Sequence, residues 1–213
     1  MQSNTPRMVH FIEHIFYINL DKRTDRKEQF TQEMEKMNWK AERFPGYYYE
    51  PPKGIVGCTK SHLEVLKLAK ERKYGNVLIC EDDLEWLEEK EVVNEELDKL
   101  FRNDVEFDVC FLAYNNKTVD RDYTPKYDFL VKTLYSTTAS CYLVNYNYYD
   151  VLIELYERAL PILDSTMQHW IYANDQIWKT LQEKDKWFCF SKRLAKQRDG
   201  FSDNANQIVS YDC

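Results

Sequence analysis

The sequence predicts an α/β domain in which a mainly parallel sheet is flanked by helices. Short apolar runs typical of buried strands alternate with segments that have a helical apolar stripe. The chain has 213 residues, 44% of them hydrophobic, which is enough for a substantial core, so a single domain over residues 1–213 is expected. In open α/β sheets, ligands bind beyond the carboxyl ends of the parallel strands.

The N-terminal half is predicted to form, in order, strand 14–20, helix 21–38, strand 41–45, helix 58–73 and strand 76–80. The first helix has Phe30, Met34 and Met37 on one face at helical spacing. In the second helix, Ser61 and Glu64 have the spacing of an N-terminal capping box. An aromatic, proline-containing loop, "GYYYEPPKGIVG", precedes that helix and indicates an ordered turn region near a site.

The C-terminal half is predicted to form, in order, helix 92–101, strand 107–114, strand 139–145, helix 146–160, helix 174–184 and strand 187–190. The strands "FDVCFLAY" and "WFCF" are continuous apolar runs, whereas the helix after residue 146 has an apolar stripe. The polar segment 115–128 is predicted as a long loop or hairpin, and therefore as a candidate lid.

Composition narrows the function classes. The chain has 36 acidic and 29 basic residues, a formal charge of −7, so no nucleic-acid partner is expected. Its six cysteines form no C-x-x-C pair and are expected to be buried free thiols of a reducing compartment. There is no signal-peptide-like apolar region, and no apolar run approaches the ~20 residues of a membrane span. We therefore expect a soluble cytoplasmic protein, or a domain of a longer one.

Three carboxylates, Glu81, Asp82 and Asp83, stand directly after the apolar run 77–80. Adjacent acids repel one another, so a cation is expected to bind there. Because side chains alternate in an extended chain, Glu81 and Asp83 should share one side, and such oxygen ligands suit Mg²⁺ or Mn²⁺. The alternative is the acidic start of a solvated helix, since further glutamates follow.

Six segments of the chain resemble glycosyltransferase family 25, which contains bacterial lipo-oligosaccharide galactosyltransferases and procollagen galactosyltransferases. They are "IFYINLDKRTDRKEQF" (15–30), "GCTKSHLEVLKLA" (57–69), "VLICEDDLEW" (77–86), "SCYLVNYNYYDVLIE" (140–154), "LPILD" (160–164) and "RDGFSDN" (198–204). The resemblance implies a Rossmann-like GT-A fold, a UDP-sugar donor (usually a UDP-hexose) and Mn²⁺ (or Mg²⁺). It further implies inverting transfer to a hydroxyl of a glycan, glycoprotein or lipo-oligosaccharide acceptor.

The same resemblance assigns roles to individual residues. Asp83 is the expected direct metal ligand, and Glu81 assists it. Many GT-A enzymes use a histidine near the C-terminus as a further ligand, but none follows His169 here, so Gln197 is the expected substitute, with Asp199, Asp203 or water as alternatives. His62 fits packing or capping as well as binding. The residues expected to contact the donor nucleotide are Asn19, Leu20, Arg23, Arg26, Lys60, Glu81, Asp82 and Arg198.

Two aspartates are candidates for the catalytic base, which must lie within about 3 Å of the acceptor hydroxyl. Asp164 matches the family's proline-then-aspartate segment. Asp175 stands at a predicted helix N-terminus, where the helix dipole would orient it. Either could instead be a helix N-cap. We expect Asp175 to be the base, with Asp164 binding the acceptor or substituting for it.

Two other functions remain open. A nucleotidyltransferase also combines an α/β sheet with paired acids, but "INLDKRTDR" lacks the early Gly-rich phosphate loop that such enzymes usually have. A non-catalytic nucleotide-sugar-binding module would carry the same motifs, and only an activity measurement separates it from an enzyme.

Overall fold

A six-stranded sheet with helices on both faces forms the centre of the molecule. The computed structural model describes residues 12–121, 127–202 and 207–210. The strands are β1 (His14–Asn19), β2 (Glu42–Pro45), β3 (Asn76–Glu81), β4 (Leu84–Trp86), β5 (Val109–Asp120), β6 (Leu130–Asn145), β7 (Trp187–Phe190), β8 (Ala195–Gln197), β9 (Gly200–Ser202) and β10 (Gln207–Val209). The helices are α1 (Thr24–Met37), α2 (Gly54–Glu71), α3 (Lys90–Arg102), α4 (Tyr149–Thr166) and the one-turn α5 (His169–Tyr172), α6 (Asn174–Ile177) and α7 (Lys179–Gln182).

The strand order of the main sheet is β2-β1-β3-β6-β5-β7, and β6 alone among these six runs opposite to the others. The chain leaves β1 through α1 towards β2, then returns through α2 to β3 on the other side of β1. The carboxyl ends of β1 and β3 therefore flank a topological switch point, where a crevice opens in such sheets. The expected α/β class with a mainly parallel sheet is confirmed.

Alternating side chains of the strands supply two hydrophobic cores. On β3, Leu78 and Cys80 belong to the core shared with α1 and α3, whereas Val77 and Ile79 belong to the core shared with α2 and α4. The five cysteines described are free thiols, as expected, and Cys213 lies outside the described residues. Within the described ranges, no helix is both long and apolar enough to cross a membrane.

The predicted start of the second helix is wrong. Helix α2 begins at Gly54, so Ser61 lies inside it, and its hydroxyl donates to the Gly57 carbonyl at 2.7 Å instead of capping the helix. The polar segment 115–128 belongs to a hairpin, one of the two forms predicted for it, because residues 115–120 continue β5 and pair with the antiparallel strand β6, which satisfies their backbone groups. Its role as a lid stays a prediction. Residues 122–126 of that segment lie outside the described residues.

Two predictions in the second half are also wrong. Helix α4 continues through Pro161 to Thr166, so the "LPILD" segment is helical. The predicted helix 174–184 is divided into α6 and α7 at Trp178. The Trp178 side chain is fully buried and its indole N–H donates to the Ser136 carbonyl at 3.1 Å, so tertiary packing overrides the helical pattern there.

Candidate functional site

Two clefts meet at the carboxyl ends of β1 and β3. The first lies between α1, the aromatic loop and the three carboxylates 81–83, here called the acidic triplet. The residues on its walls that the sequence predicted as site residues are Leu20, Arg23, Arg26, Glu81, Asp82, Asp83 and Gln197. The second lies beside α5 and α6, and its walls include Thr138, His169, Trp170, Asn174 and Asp175. The residues common to both walls are Cys58, Glu81, Gln197 and Ser202. A ligand in one cleft would therefore lie next to a ligand in the other.

Arg26 of α1 pairs with two of the three carboxylates. Its Nη1 donates to Asp82 Oδ1 at 2.9 Å and to Asp83 Oδ2 at 3.0 Å, and none of the three side chains is more than 14% exposed. Strand β3 ends at Glu81, so Asp82 and Asp83 lie in a turn, where strict alternation of sides no longer applies. Burial raises the pKa of both aspartates despite the opposing charge of Arg26.

Glu81 contacts α2 instead. Its Oε1 lies 3.0 Å from His62 Nε2 and 3.5 Å from Cys58 Sγ. Burial opposes ionisation of Glu81, but the hydrogen bond and the charge of His62, with help from Cys58 and Arg26, lower its pKa overall. Burial, followed by the negative charge of Glu81, raises the pKa of the Cys58 thiol well above its usual value. Glu81 is therefore held as a carboxylate against α2.

The C-terminal tail returns to the acidic triplet through a small antiparallel pairing of β4 with β8. The pairing sets Leu84 opposite Gln197, and Gln197 Nε2 donates to Asp83 Oδ2 at 3.0 Å. The backbone N–H of Arg198 donates to the Asp83 carbonyl at 2.6 Å. Residues more than a hundred positions apart in the sequence thus share one wall of the site.

The acidic triplet fits the divalent cation that the sequence predicts. Asp83 Oδ1 is buried and has no hydrogen-bond partner within the described part of the chain, as expected for an oxygen that would bind a metal. The three carboxyl groups outnumber the one guanidinium paired with them, so a bound divalent cation would favour their ionised forms. Asp83 Oδ1 would be the principal ligand, and side-chain oxygens of Glu81 and Gln197 would complete the protein's share.

Asp175 lies in α6 and lines the second cleft. Its Oδ2 accepts a hydrogen bond from the backbone N–H of Thr138 at 3.2 Å. Thr138 has φ 79°, a strained conformation for a β-branched residue, beside an irregularity in the β5–β6 register. Burial raises the pKa of Asp175, although the Thr138 hydrogen bond opposes this. A buried carboxylate with a raised pKa is suited to accept a proton.

Asn174 fixes α6 on α2. Its backbone N–H donates to Thr59 Oγ1 at 3.2 Å, and its Oδ1 lies 3.4 Å from the same hydroxyl. Asn174 and Thr59 are 2% and 0% exposed, so these contacts are shielded from water. The pairing holds the neighbouring Asp175 at a defined place on the cleft wall.

Two residues predicted to contact the donor make contacts within the protein, and their role in donor binding stays a prediction. Asn19 is buried, and its Nδ2 donates to Asp82 Oδ2 at 2.7 Å while its Oδ1 accepts from Arg43 Nε at 2.8 Å. Asn19 therefore positions Asp82. Lys60 Nζ stacks over the Tyr47 ring, 4.1 Å from its centroid, outside the first cleft's walls.

Basic residues of the tail are paired with glutamates. Arg198 Nη2 donates to Glu33 Oε1 at 2.6 Å, and Arg198 is not one of the residues that line the first cleft. Lys192 and Lys196 pair with Glu88 and Glu85. Asp199 is exposed, and Asp203 lies outside the described residues.

Asp164 lies on α4, is 49% exposed, and accepts from Lys53 Nζ at 2.6 Å. It lines neither of the two clefts formed by the described residues. Of the two candidate bases, Asp175 is therefore the one that the fold brings beside Glu81 and Gln197.

The sequence did not indicate Cys58 as a site residue, and it left open whether His62 packs, caps a helix or binds a ligand. Their i, i+4 spacing places them on one face of the predicted helix 58–73, but no pattern in the sequence indicates that this face meets Glu81. Nothing in the sequence indicates Thr138, because its conformation depends on how β5 and β6 pair.

Gly57 allows the aromatic loop to pack on α2, and a substitution there should be destabilising. A Cβ at Gly57 would lie 2.2 Å from the Tyr47 carbonyl oxygen, which is closer than two non-bonded atoms can approach. We expect Gly57→Ala to lower the free energy of unfolding by about 1–3 kcal/mol, measured by denaturant titration. Gly200→Ala is the control, since nothing lies within 4 Å of the added atom. Equal stability of the two variants would contradict close packing of the loop.

A scan against protein-family models and a search of curated proteins gave no match. Among solved structures, the chain is similar to a glycosyltransferase involved in the glycosylation of the major capsid of PBCV-1, with a TM-score of 0.52 and 7% identity over 91% of this chain and 95% of that chain. It also overlaps a protein from STIV (TM-score 0.48, 11% identity, 92% of each chain). A mannose-1-phosphate geranyltransferase from Thermus thermophilus overlaps it with a TM-score of 0.46 and 9% identity over 86% of this chain and 58% of that chain. The likeness to the PBCV-1 protein confirms the expected GT-A-like fold.

Proposed function

We propose that the protein is a glycosyltransferase that moves a hexose from a UDP-sugar to a hydroxyl of a glycan, glycoprotein or lipo-oligosaccharide, with inversion. One observation carries this proposal. A cleft with acidic, basic and aromatic walls lies at the switch point of a GT-A-like sheet, and it joins a second cleft that contains a buried carboxylate. The resemblance of six segments to glycosyltransferase family 25 supports the same activity.

The first cleft is assigned to the donor. Tyr47, Tyr48 and Tyr49 offer aromatic faces for a uracil or sugar ring. Arg23 pairs with Asp25, which is 58% exposed, so a phosphate could replace that partner at little cost. A Mn²⁺ or Mg²⁺ ion at Asp83, when bound, would neutralise the charge that develops on the departing diphosphate.

The second cleft is assigned to the acceptor. Trp170 is 60% exposed on its wall and presents an aromatic face suited to the CH-rich side of a sugar. Asp175 would accept the proton of the attacking hydroxyl, and the Thr138 N–H and Asn174 would hold Asp175 in place. Glu81 and Gln197 line both clefts and so lie where the two substrates would meet.

Calorimetric titration of UDP into the protein, with and without Mn²⁺, tests the donor assignment. We expect binding to require Mn²⁺ and to weaken at least about tenfold in Asp83→Ala, because that variant loses the buried ligand oxygen. Asp98→Ala, which removes a carboxylate from the surface of α3, is the matched control. A panel of nucleotide sugars tested for hydrolysis with Mn²⁺ would then identify the donor.

Equal UDP binding by wild type and Asp83→Ala would remove the metal assignment. The absence of binding and of hydrolysis for every nucleotide sugar in the panel would reject the proposed function. Binding without hydrolysis or transfer would favour the non-catalytic module.

A further inference from the structure

Three side chains with metal-binding atoms converge where the two clefts meet. Cys58 and His62 are four residues apart on one face of α2, which faces Glu81 at the carboxyl end of β3. Cys58 Sγ, His62 Nε2 and a Glu81 carboxylate oxygen all lie within 4.8 Å of one another. Glu81 Oε1 is 3.0 Å from His62 Nε2 and 3.5 Å from Cys58 Sγ. With zinc bonds of about 2.0–2.3 Å, tetrahedral ligand atoms lie about 3.5 Å apart, so only small shifts are needed.

The hydrogen bond of the second ring nitrogen of His62 is also typical of a metal-binding histidine. His62 is fully buried, and its other ring nitrogen, Nδ1, lies 2.8 Å from the hydroxyl of Tyr142, which is fully buried too. Ligating histidines nearly always form such a second hydrogen bond, because it fixes the ring orientation and leaves the opposite nitrogen for the metal. The Tyr142 contact thus directs Nε2 towards Cys58 and Glu81.

We infer that Cys58, His62 and Glu81 form a metal centre for a zinc-class divalent ion. A thiolate and an imidazole favour Zn²⁺ or Co²⁺ over Mg²⁺ and Mn²⁺, so this centre differs in selectivity from the all-oxygen site at Asp83, with which it would share the Glu81 carboxylate. Its existence does not depend on the proposed sugar transfer.

The centre has an entry path and a free coordination position. Cys58 is half-buried and the Glu81 side chain is 21% exposed, and both residues line the two clefts. Three protein ligands and one open position are typical of catalytic rather than structural zinc sites. Water or a substrate hydroxyl in that position would lose its proton more readily than in solution.

Co²⁺ titration of the full, metal-stripped chain tests this inference, because thiolate ligation of Co²⁺ gives a sulfur-to-metal charge-transfer absorption that oxygen ligands do not give. We expect wild type to show this band at one equivalent, and Cys58→Ser to lose it. Cys80→Ser is the matched control. It removes a buried thiol next to Glu81 that belongs to the opposite core, and it should keep the band. Asp83→Ala should also keep it.

Tyr142→Phe provides a second measurement that does not remove a ligand. It should keep the band but weaken Co²⁺ affinity about 10–100-fold, since the ring of His62 loses its fixed orientation. A wild-type protein without the band, or a band of full intensity in folded Cys58→Ser, would overturn the centre. A band that depends on Cys58, together with failure to bind UDP, would reject the proposed function while supporting this centre.

Discussion

Asp175→Asn should lower kcat for sugar transfer about 10²–10⁴-fold, the usual contribution of a general base. The amide keeps the shape of the side chain and can still accept the Thr138 hydrogen bond through its oxygen, but it cannot take up a proton. Donor binding should remain nearly intact, because Asp175 lines the second cleft and not the first. Steady-state kinetics with the nucleotide sugar found in the panel would measure kcat and KM separately.

Two further variants make this result interpretable. Asp150→Asn changes an aspartate on α4 that is 72% exposed, paired with Lys70 and outside the walls of both clefts, so kcat should stay within about twofold. Asp164→Asn tests the competing candidate. A collapse of kcat in Asp164→Asn, with an unaffected Asp175→Asn, would transfer the catalytic role to Asp164.

Arg26→Met should be strongly destabilising. It leaves Asp82 and Asp83, 9% and 6% exposed, without their shared cation. Removing one partner from a buried ion pair typically costs about 3–5 kcal/mol, because the remaining charge is buried and uncompensated. Denaturant unfolding followed by circular dichroism would measure the change.

A compensating variant distinguishes charge from packing. Arg26→Met combined with Asp82→Asn and Asp83→Asn removes the uncompensated charges and should recover most of the lost stability. Arg102→Met, which breaks an exposed pair with Asp98 on α3, should cost less than about 1 kcal/mol. A small effect of Arg26→Met, or no recovery in the triple variant, would show that the guanidinium is not what keeps the two carboxylates buried.

The sequence predicted the elements of the fold well wherever burial alone decides the structure. Apolar runs such as 76–80 are strands because both faces of the sheet are covered, and the 3.6-residue stripe that includes Phe30 marks the buried face of α1. Segments whose structure depends on distant partners were predicted poorly. The predicted helix 174–184 is divided at Trp178, whose indole N–H donates to the carbonyl of the distant Ser136.

The site was predicted in the same uneven way. The sequence predicted the strand-end position of Glu81, Asp82 and Asp83, because the apolar run stops there. The sequence did not predict that Asp82 would contact α1 while Glu81 contacts α2. This difference arises because the chain turns after Glu81 and because α1 and α2 lie on opposite faces of the sheet. The pairing of Arg198 with Glu33 was equally hidden, because no local pattern joins residues so far apart.

The return of β8 to β4 has a consequence for how the site is assembled. During synthesis the sheet strands up to β6 could already associate before residues 195–198 were made, but Gln197 and the Arg198 amide would then be absent from Asp83. A nascent or C-terminally clipped chain could therefore be folded in its main sheet and still lack one wall of both clefts. The site is therefore completed by the pairing of β4 with β8, two strands that lie more than a hundred residues apart in the sequence.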